Sequence, residues 1–246
     1  MADKVTSGER MGAAGRAAPR HGGGSAEAAR AAALRITVEA VLPLIDAARG
    51  RRGHGRVLLA LAGPPAAGKS TLSAALVERL GADAAVLPMD GFHLDNALLE
   101  ARGLRPRKGA PATFDVAGLA STLARVRADR GPVIVPSFDR RLDLARAGAA
   151  EISPAHRTVI VEGNYLLLDE PPWTAIARTY DASVFLQVPE SVVEARILAR
   201  WRRHGLDERA ARTRALENDV PNAALVMRGS AAADLVLDEA GRRVAR

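Results

Sequence analysis

The chain contains no cysteine. Disulfides, thiolate metal sites and cysteine nucleophiles are excluded, and the composition is compatible with a reducing, cytoplasmic setting. Aromatic residues make up only 3% of the chain, and no basic run is continuous for more than three residues. A nucleic-acid face needs clustered cations interleaved with stacking or groove-reading groups. The net charge of +7 is therefore better matched to a small phosphorylated ligand than to a nucleic acid. No apolar run reaches the roughly 20 residues of a membrane helix, so no membrane partner is expected. The opening MADKVTSGER lacks the apolar core of a secretory signal, and Asp3 and Glu9 weaken a transit-peptide reading. Lysine is scarce too: of 35 basic residues, only Lys4, Lys69 and Lys108 are lysine.

What is present reads as globular. The chain is 48% apolar and 246 residues long, enough for one α/β domain with a sizeable core. Residues 1–24, rich in Gly, Ala and Arg without periodicity, are expected to be a disordered tail, with a single domain over 25–246. Leu34, Val38, Val41, Leu42 and Ile45 recur at helical spacing, with Pro43 a candidate kink. Short unalternated apolar runs at 57–63, 84–90, 132–138, 158–163, 183–188 and 233–239 then alternate with helical patterns at 70–80, 116–128 and 191–205. Buried strands alternating with helices predict parallel pairing through right-handed crossovers.

Between the first of these strands and its helix lies Gly63-Pro64-Pro65-Ala66-Ala67-Gly68-Lys69-Ser70, followed by Thr71. This fits G-x-x-x-x-G-K-[ST] in the strand–loop–helix context that the motif requires. Glycines let backbone N–H groups curl around a β-phosphate, and the helix N-terminus adds partial positive charge. Lys69 is a mobile cation for the β- and γ-phosphates, and the Ser70 hydroxyl is a ligand for Mg2+. No N-K-x-D string marks a GTPase, no LSGGQ marks an ABC-type ATPase, and the chain is short for a ring ATPase. A compact kinase with its second substrate at the carboxyl ends of the strands remains.

Two acids end strand runs. Asp90, in MDGFH, is placed to accept the proton of an attacking hydroxyl, or else to cap a turn. Glu162, in VIVEG, is placed like a Walker-B carboxylate that holds Mg2+. Phe138, Asp139 and Arg140, in SFDRR, are candidate substrate contacts. Phe92, Phe114, Phe138, Tyr165 and Trp173 fall in strand-end loops; they either wall a pocket or pin the loops to the domain. Arg196, Arg200 and Arg203 share one helical face and suit a closing lid over about 195–220. Lys108 lies between Pro106 and Pro111, whose stiffness pre-places a binding group, with Asp115 at the expected N-cap of the next helix; the loop position makes Lys108 a candidate contact to the acceptor or a phosphate.

In order, GPPAAGKST, MDGFH, KGAPATFD, SFDRR, VIVEGNYLLLDEP and DVPN span about 57–239. Together they resemble the uridine kinase, phosphoribulokinase and pantothenate kinase superfamily, in particular the nucleoside/nucleotide kinase branch that includes proteins labelled fructose transport system kinases. The resemblance implies a P-loop kinase fold: three αβα layers, a mainly parallel five-stranded sheet and a helical lid. It implies ATP and Mg2+, with a small hydroxyl-bearing acceptor, a nucleoside or sugar first and pantothenate as the alternative. It makes Asp90 the catalytic base, Asp115 an acceptor-hydroxyl ligand, Phe138 and Asp139 a pocket-lining pair, and Arg196 and Arg200 lid arginines on phosphate. Asn222 matches a residue of the branch without an assigned role. His93 stands where uridine kinases usually carry an aromatic, which argues against direct transfer of pyrimidine specificity. The oligomeric state is left open, a homodimer included. A regulatory nucleotide-binding protein with a vestigial acceptor site is the reading from another class; four acids, Asp90, Asp115, Asp139 and Glu162, argue against it.

Overall fold

The computed structural model describes residues 23–245; the expectation for the tail falls, but for Gly23 and Gly24, outside them. Five strands form one parallel sheet in the order β2-β5-β1-β6-β7: β1 (Val57–Ala62), β2 (Ala84–Pro88), β5 (Thr158–Gly163), β6 (Ala182–Leu186) and β7 (Leu235–Leu237). Every residue of the central strand β1 is buried. Leu58, Ala60 and Ala62 enter one apolar cluster, while Val57, Leu59 and Leu61 enter the other. Both faces of the strand are covered, which is why its sequence does not alternate.

Helices α1 (Gly23–Arg52) and α2 (Lys69–Leu80) cover one face through Val41, Ile45, Leu72 and Leu76. On the other face, α4 (Val116–Ala128) packs through Leu119, Leu123 and Val126. Pro43 lies inside α1 without dividing it. The three αβα layers are those the resemblance implied. No helix among the described residues is long and apolar enough to cross a membrane.

One strand run departs from the parallel pattern. β3 (Val133–Asp139) pairs antiparallel with β4 (Leu144–Ile152) in a separate hairpin. Its residues explain the departure. Val133 and Val135 are buried, whereas Ile134 between them is half exposed, so only one face is apolar-covered. Pro136 has no N–H to give, and the pairing is irregular between Val135 and Ser137. β4 reads LARAGAAEI and is mostly exposed. Its low strand propensity hid it within an apparently polar excursion.

Candidate active site

The strand order places the chemistry. β5 lies between β1 and β2, with Ala62 opposite Gly163 and Pro88 opposite Glu162. The loop after β1, Glu162 on β5 and Asp90 just past β2 are thus neighbours at the carboxyl edge. Asp90 and the loop are two strand spacings, or roughly 10 Å, apart.

Residues 63–68 turn sharply into α2. Gly68 has φ +101°, a left-handed conformation that side chains resist. Ala66 holds φ +60°, at a cost on the order of 1 kcal/mol. Lys69 is buried, and its Nζ donates to Gly63 O at 3.0 Å, Pro64 O at 2.9 Å and Asn164 Oδ1 at 2.7 Å. The ammonium is held inside the curl of backbone that would wrap a phosphate. Burial lowers its pKa from 10.5 to about 8, with Glu162 and Asp90 opposing that shift. Phosphate favours the charged form, so binding nucleotide above pH 8 requires proton uptake. ATP affinity is therefore expected to fall as pH rises through about 8, approaching tenfold per pH unit. Calorimetry in two buffers of different ionisation enthalpy should show that uptake, and Lys69→Met should abolish it.

The Ser70 hydroxyl donates to Glu162 Oε1 at 3.1 Å. Burial pushes the Glu162 carboxyl up, and Lys69 pulls it down. Two hard oxygens, one on a carboxylate short of compensation, fit a divalent cation beside the phosphate loop. Among the described residues no three His, Asp or Glu side chains form a preformed metal cage.

Two cavities meet here. One, of about 490 Å3, is lined by Pro65, Ala66, Gly68, Lys69, Ser70, Thr71, Glu162, Arg196, Arg200 and Arg203, among others. The other, of about 480 Å3, is lined by His93, Lys108, Phe114, Phe138, Trp201 and Asn222, among others. Asp90, Arg140, Asn164, Arg200 and Pro65 line both. The Asp90 turn can meet the hairpin because Gly91 has no side chain: a Cβ there would stand 2.6 Å from Pro136 O. Arg140, at the hairpin tip, then donates to Asp90 Oδ2 at 2.9 Å.

His93 packs between Phe114 and Phe138, with ring centroids at 4.1 and 4.7 Å. Burial pushes its pKa down. Its Nδ1 lies 2.8 Å from Asp90 O. A carbonyl only accepts, so the neutral ring carries its proton on Nδ1 and keeps Nε2 as an acceptor.

The lid region comprises α6 (Glu190–Arg203), α7 (Glu208–Arg214), a π-helical turn (Ala215–Asp219) and α8 (Val220–Gly229). Asp219, carried on the π turn, accepts from Trp201 Nε1 at 2.5 Å and Arg200 at 3.2 Å. Asn218 on the same turn donates to Lys108 O at 2.8 Å. Arg196 reaches Ala66 O at 3.4 Å and Glu239 at 3.1 Å.

Several sequence expectations require correction in position. Asp115 takes the expected N-cap of α4, accepting from Gly118 N at 2.8 Å, but does not line the acceptor cavity. Asp139 accepts from Arg141 N and Leu142 N, both at 3.0 Å; it builds the hairpin turn. Both short acids satisfy backbone N–H groups that the turns leave open. Phe92, Tyr165 and Trp173 are buried in the core rather than in the cavity wall, and the Tyr165 hydroxyl donates to Gly109 O at 2.6 Å. Lys108 does line the cavity, but its Nζ donates to Asn96 Oδ1 at 2.6 Å and to Asp143 O, and lies 3.1 Å from Asp143 Oδ1. It ties two loops together. Sequence reasoning gave no role to Asn164, Asp143, Trp201, Asn218 and Asp219; only Asn164 and Asp219 carried a signal, as members of the strings VIVEGNYLLLDEP and DVPN.

The chain is similar to known proteins in sequence and in fold. A crystal structure of a provisionally named fructose transport system kinase from Silicibacter sp. TM1040 superposes with a TM-score of 0.71 at 50% identity, covering 74% of this chain and 89% of that one. Uncharacterized protein YggC of Escherichia coli is 37% identical over 194 residues, 76% of this chain and 80% of its own. A provisionally named uridine kinase, C227.14, of Schizosaccharomyces pombe is 38% identical over 201 residues, 75% of this chain and 83% of its own. The chain belongs to the uridine kinase-like P-loop kinases. No family model matches it. Membership of this family makes the chain a kinase-like P-loop phosphotransferase.

Proposed function

We propose that the chain transfers the γ-phosphoryl group of ATP, with Mg2+, to a hydroxyl of a small molecule. The observation that carries this reading is the position of Asp90, whose carboxylate lines the phosphate cavity and the acceptor cavity at once. A hydroxyl held there attacks the γ-phosphorus; the bond to the β–γ bridging oxygen breaks, ADP leaves, and the hydroxyl proton passes to Asp90. Lys69 and the backbone of 63–70 hold the phosphates. Arg196, Arg200 and Arg203 supply cations from α6. Mg2+ held by Ser70 and Glu162 would neutralise charge on the β- and γ-oxygens. Glu162→Gln is expected to raise the Mg2+ concentration for half-maximal activity about 10–100-fold, measured by titrating Mg2+ at saturating ATP.

The relatives' names, uridine and fructose, favour a nucleoside or sugar as acceptor. The test is ADP release and product formation over a panel of nucleosides, ketoses, aldoses and hydroxy acids including pantothenate. ATP binding without phosphorylation of any member would favour the regulatory nucleotide-binding reading instead.

A further inference from the structure

The charges lining the acceptor cavity do not cancel. Apart from its histidines, five cations, Lys108, Arg140, Arg141, Arg200 and Arg214, face three carboxylates, Asp90, Asp143 and Asp219. Each carboxylate is already engaged. Asp143 lies 3.1 Å from Lys108 Nζ and 2.9 Å from Arg105. Asp219 lies 3.2 Å from Arg200 and also accepts from Trp201. Asp90 lies 2.9 Å from Arg140.

Two guanidiniums are left over. The Arg141 side chain, exposed at the hairpin tip, feels Asp139 electrostatically but has no carboxylate within salt-bridge distance among the described residues. Arg214, on α7, reaches only the carbonyls of Pro106 at 3.2 Å and Lys108 at 3.4 Å, and lies over the Trp201 ring at 5.4 Å. A neutral sugar or nucleoside offers these groups no counter-charge. A planar guanidinium is matched instead by the paired oxygens of a phosphate or carboxylate.

Building on the kinase reading above, we propose that the acceptor is an anion: a small polyol that carries a phosphate or carboxylate group, recognised by Arg141 and Arg214, and offers its hydroxyl to Asp90. The cavity volume of about 480 Å3 suits a small molecule of this kind.

The test uses matched pairs in an ADP-release assay with the full chain, ATP and Mg2+: a ketohexose and its monophosphate, a nucleoside and its 5′-monophosphate, a hydroxy acid and its amide. In at least one pair the charged member should exceed its neutral partner in kcat/KM by about tenfold or more. Comparison of the phosphate and acid arms identifies the anionic group. Arg141→Gln and Arg214→Gln should each weaken use of the charged member and narrow that ratio. Neutral members used equally well, or a ratio untouched by both substitutions, would overturn the inference while leaving the kinase reading standing.

If no pair is phosphorylated, the kinase reading fails and anion recognition is tested alone. The protein is saturated with a non-hydrolysable ATP analogue and titrated with inorganic phosphate and acetate, following tryptophan fluorescence in a Trp173→Phe background that leaves Trp201 at the cavity wall as the reporter. Binding that weakens in both arginine variants supports the anion site; no binding, or binding indifferent to them, rejects it.

Discussion

Asp90→Asn should bind ATP as tightly as the wild-type protein or more tightly, yet lose acceptor phosphorylation by about 10²–10⁴-fold in kcat. The asymmetry follows from the site. Asp90 lines the phosphate cavity without touching the cradle; its one side-chain hydrogen bond is to Arg140 through Oδ2. Oδ1 has no protein partner among the described residues and is the oxygen left for an acceptor hydroxyl. Asparagine keeps the shape and can no longer take a proton. Removing a negative charge beside the phosphates cannot weaken their binding by repulsion, so the ATP dissociation constant should hold or fall. Single-turnover kinetics at saturating ATP separates the two quantities. A variant that turned over at near wild-type rates would remove Asp90 from the base role and leave it as the hairpin's anchor through Arg140.

The nucleotide half of the site was legible because its chemistry is local. Gly68, Lys69 and Ser70 are contiguous, their strand and helix flank them, and a backbone cradle needs no distant partner. Glu162 was legible for a related reason: an acid ending a fully apolar strand run has one edge of the sheet to go to, and the order β2-β5-β1 puts it beside Ser70. The acceptor half is assembled from four separate segments, and there residue type alone misled. Asp115 and Asp139 are acids in the right loops, but each has an unsatisfied backbone N–H within two or three residues, and the local bond takes the side chain first. Phe92, Tyr165 and Trp173 are scarce aromatics in polar loops, but they follow buried strands closely enough to be drawn into the core. Asn218 gave no signal, and Asp219 stood in the DVPN string without a direction, because both are aimed by a π turn within the lid rather than by any spacing in the sequence.

Lys108 carries the second large expected effect. It is nearly inaccessible, with a relative exposure of 5%, and its ammonium binds Asn96 on α3 (Asn96–Ala101) and both the carbonyl and carboxylate of Asp143 on the hairpin. It also lies 5.1 Å from the centre of the Phe138 ring. Its own carbonyl accepts from Asn218 of the lid. One residue thus joins the loop after β2, the hairpin and the lid, three of the segments that wall the acceptor cavity. Lys108→Met keeps the stem and removes the charge. Breaking a buried pair costs about 3–5 kcal/mol; with Asp143 half exposed, about 2–3 kcal/mol is expected, lowering Tm by roughly 4–12 °C. The cavity walls should loosen with it, raising the acceptor KM about tenfold or more while the ATP KM stays close to wild type, since no cradle residue touches Lys108. Lys108→Arg should not rescue either defect, because three acceptors converging on one point suit a compact ammonium and not a planar fork. Full rescue by arginine would show that charge in the cavity, rather than the tie between its walls, is what Lys108 provides.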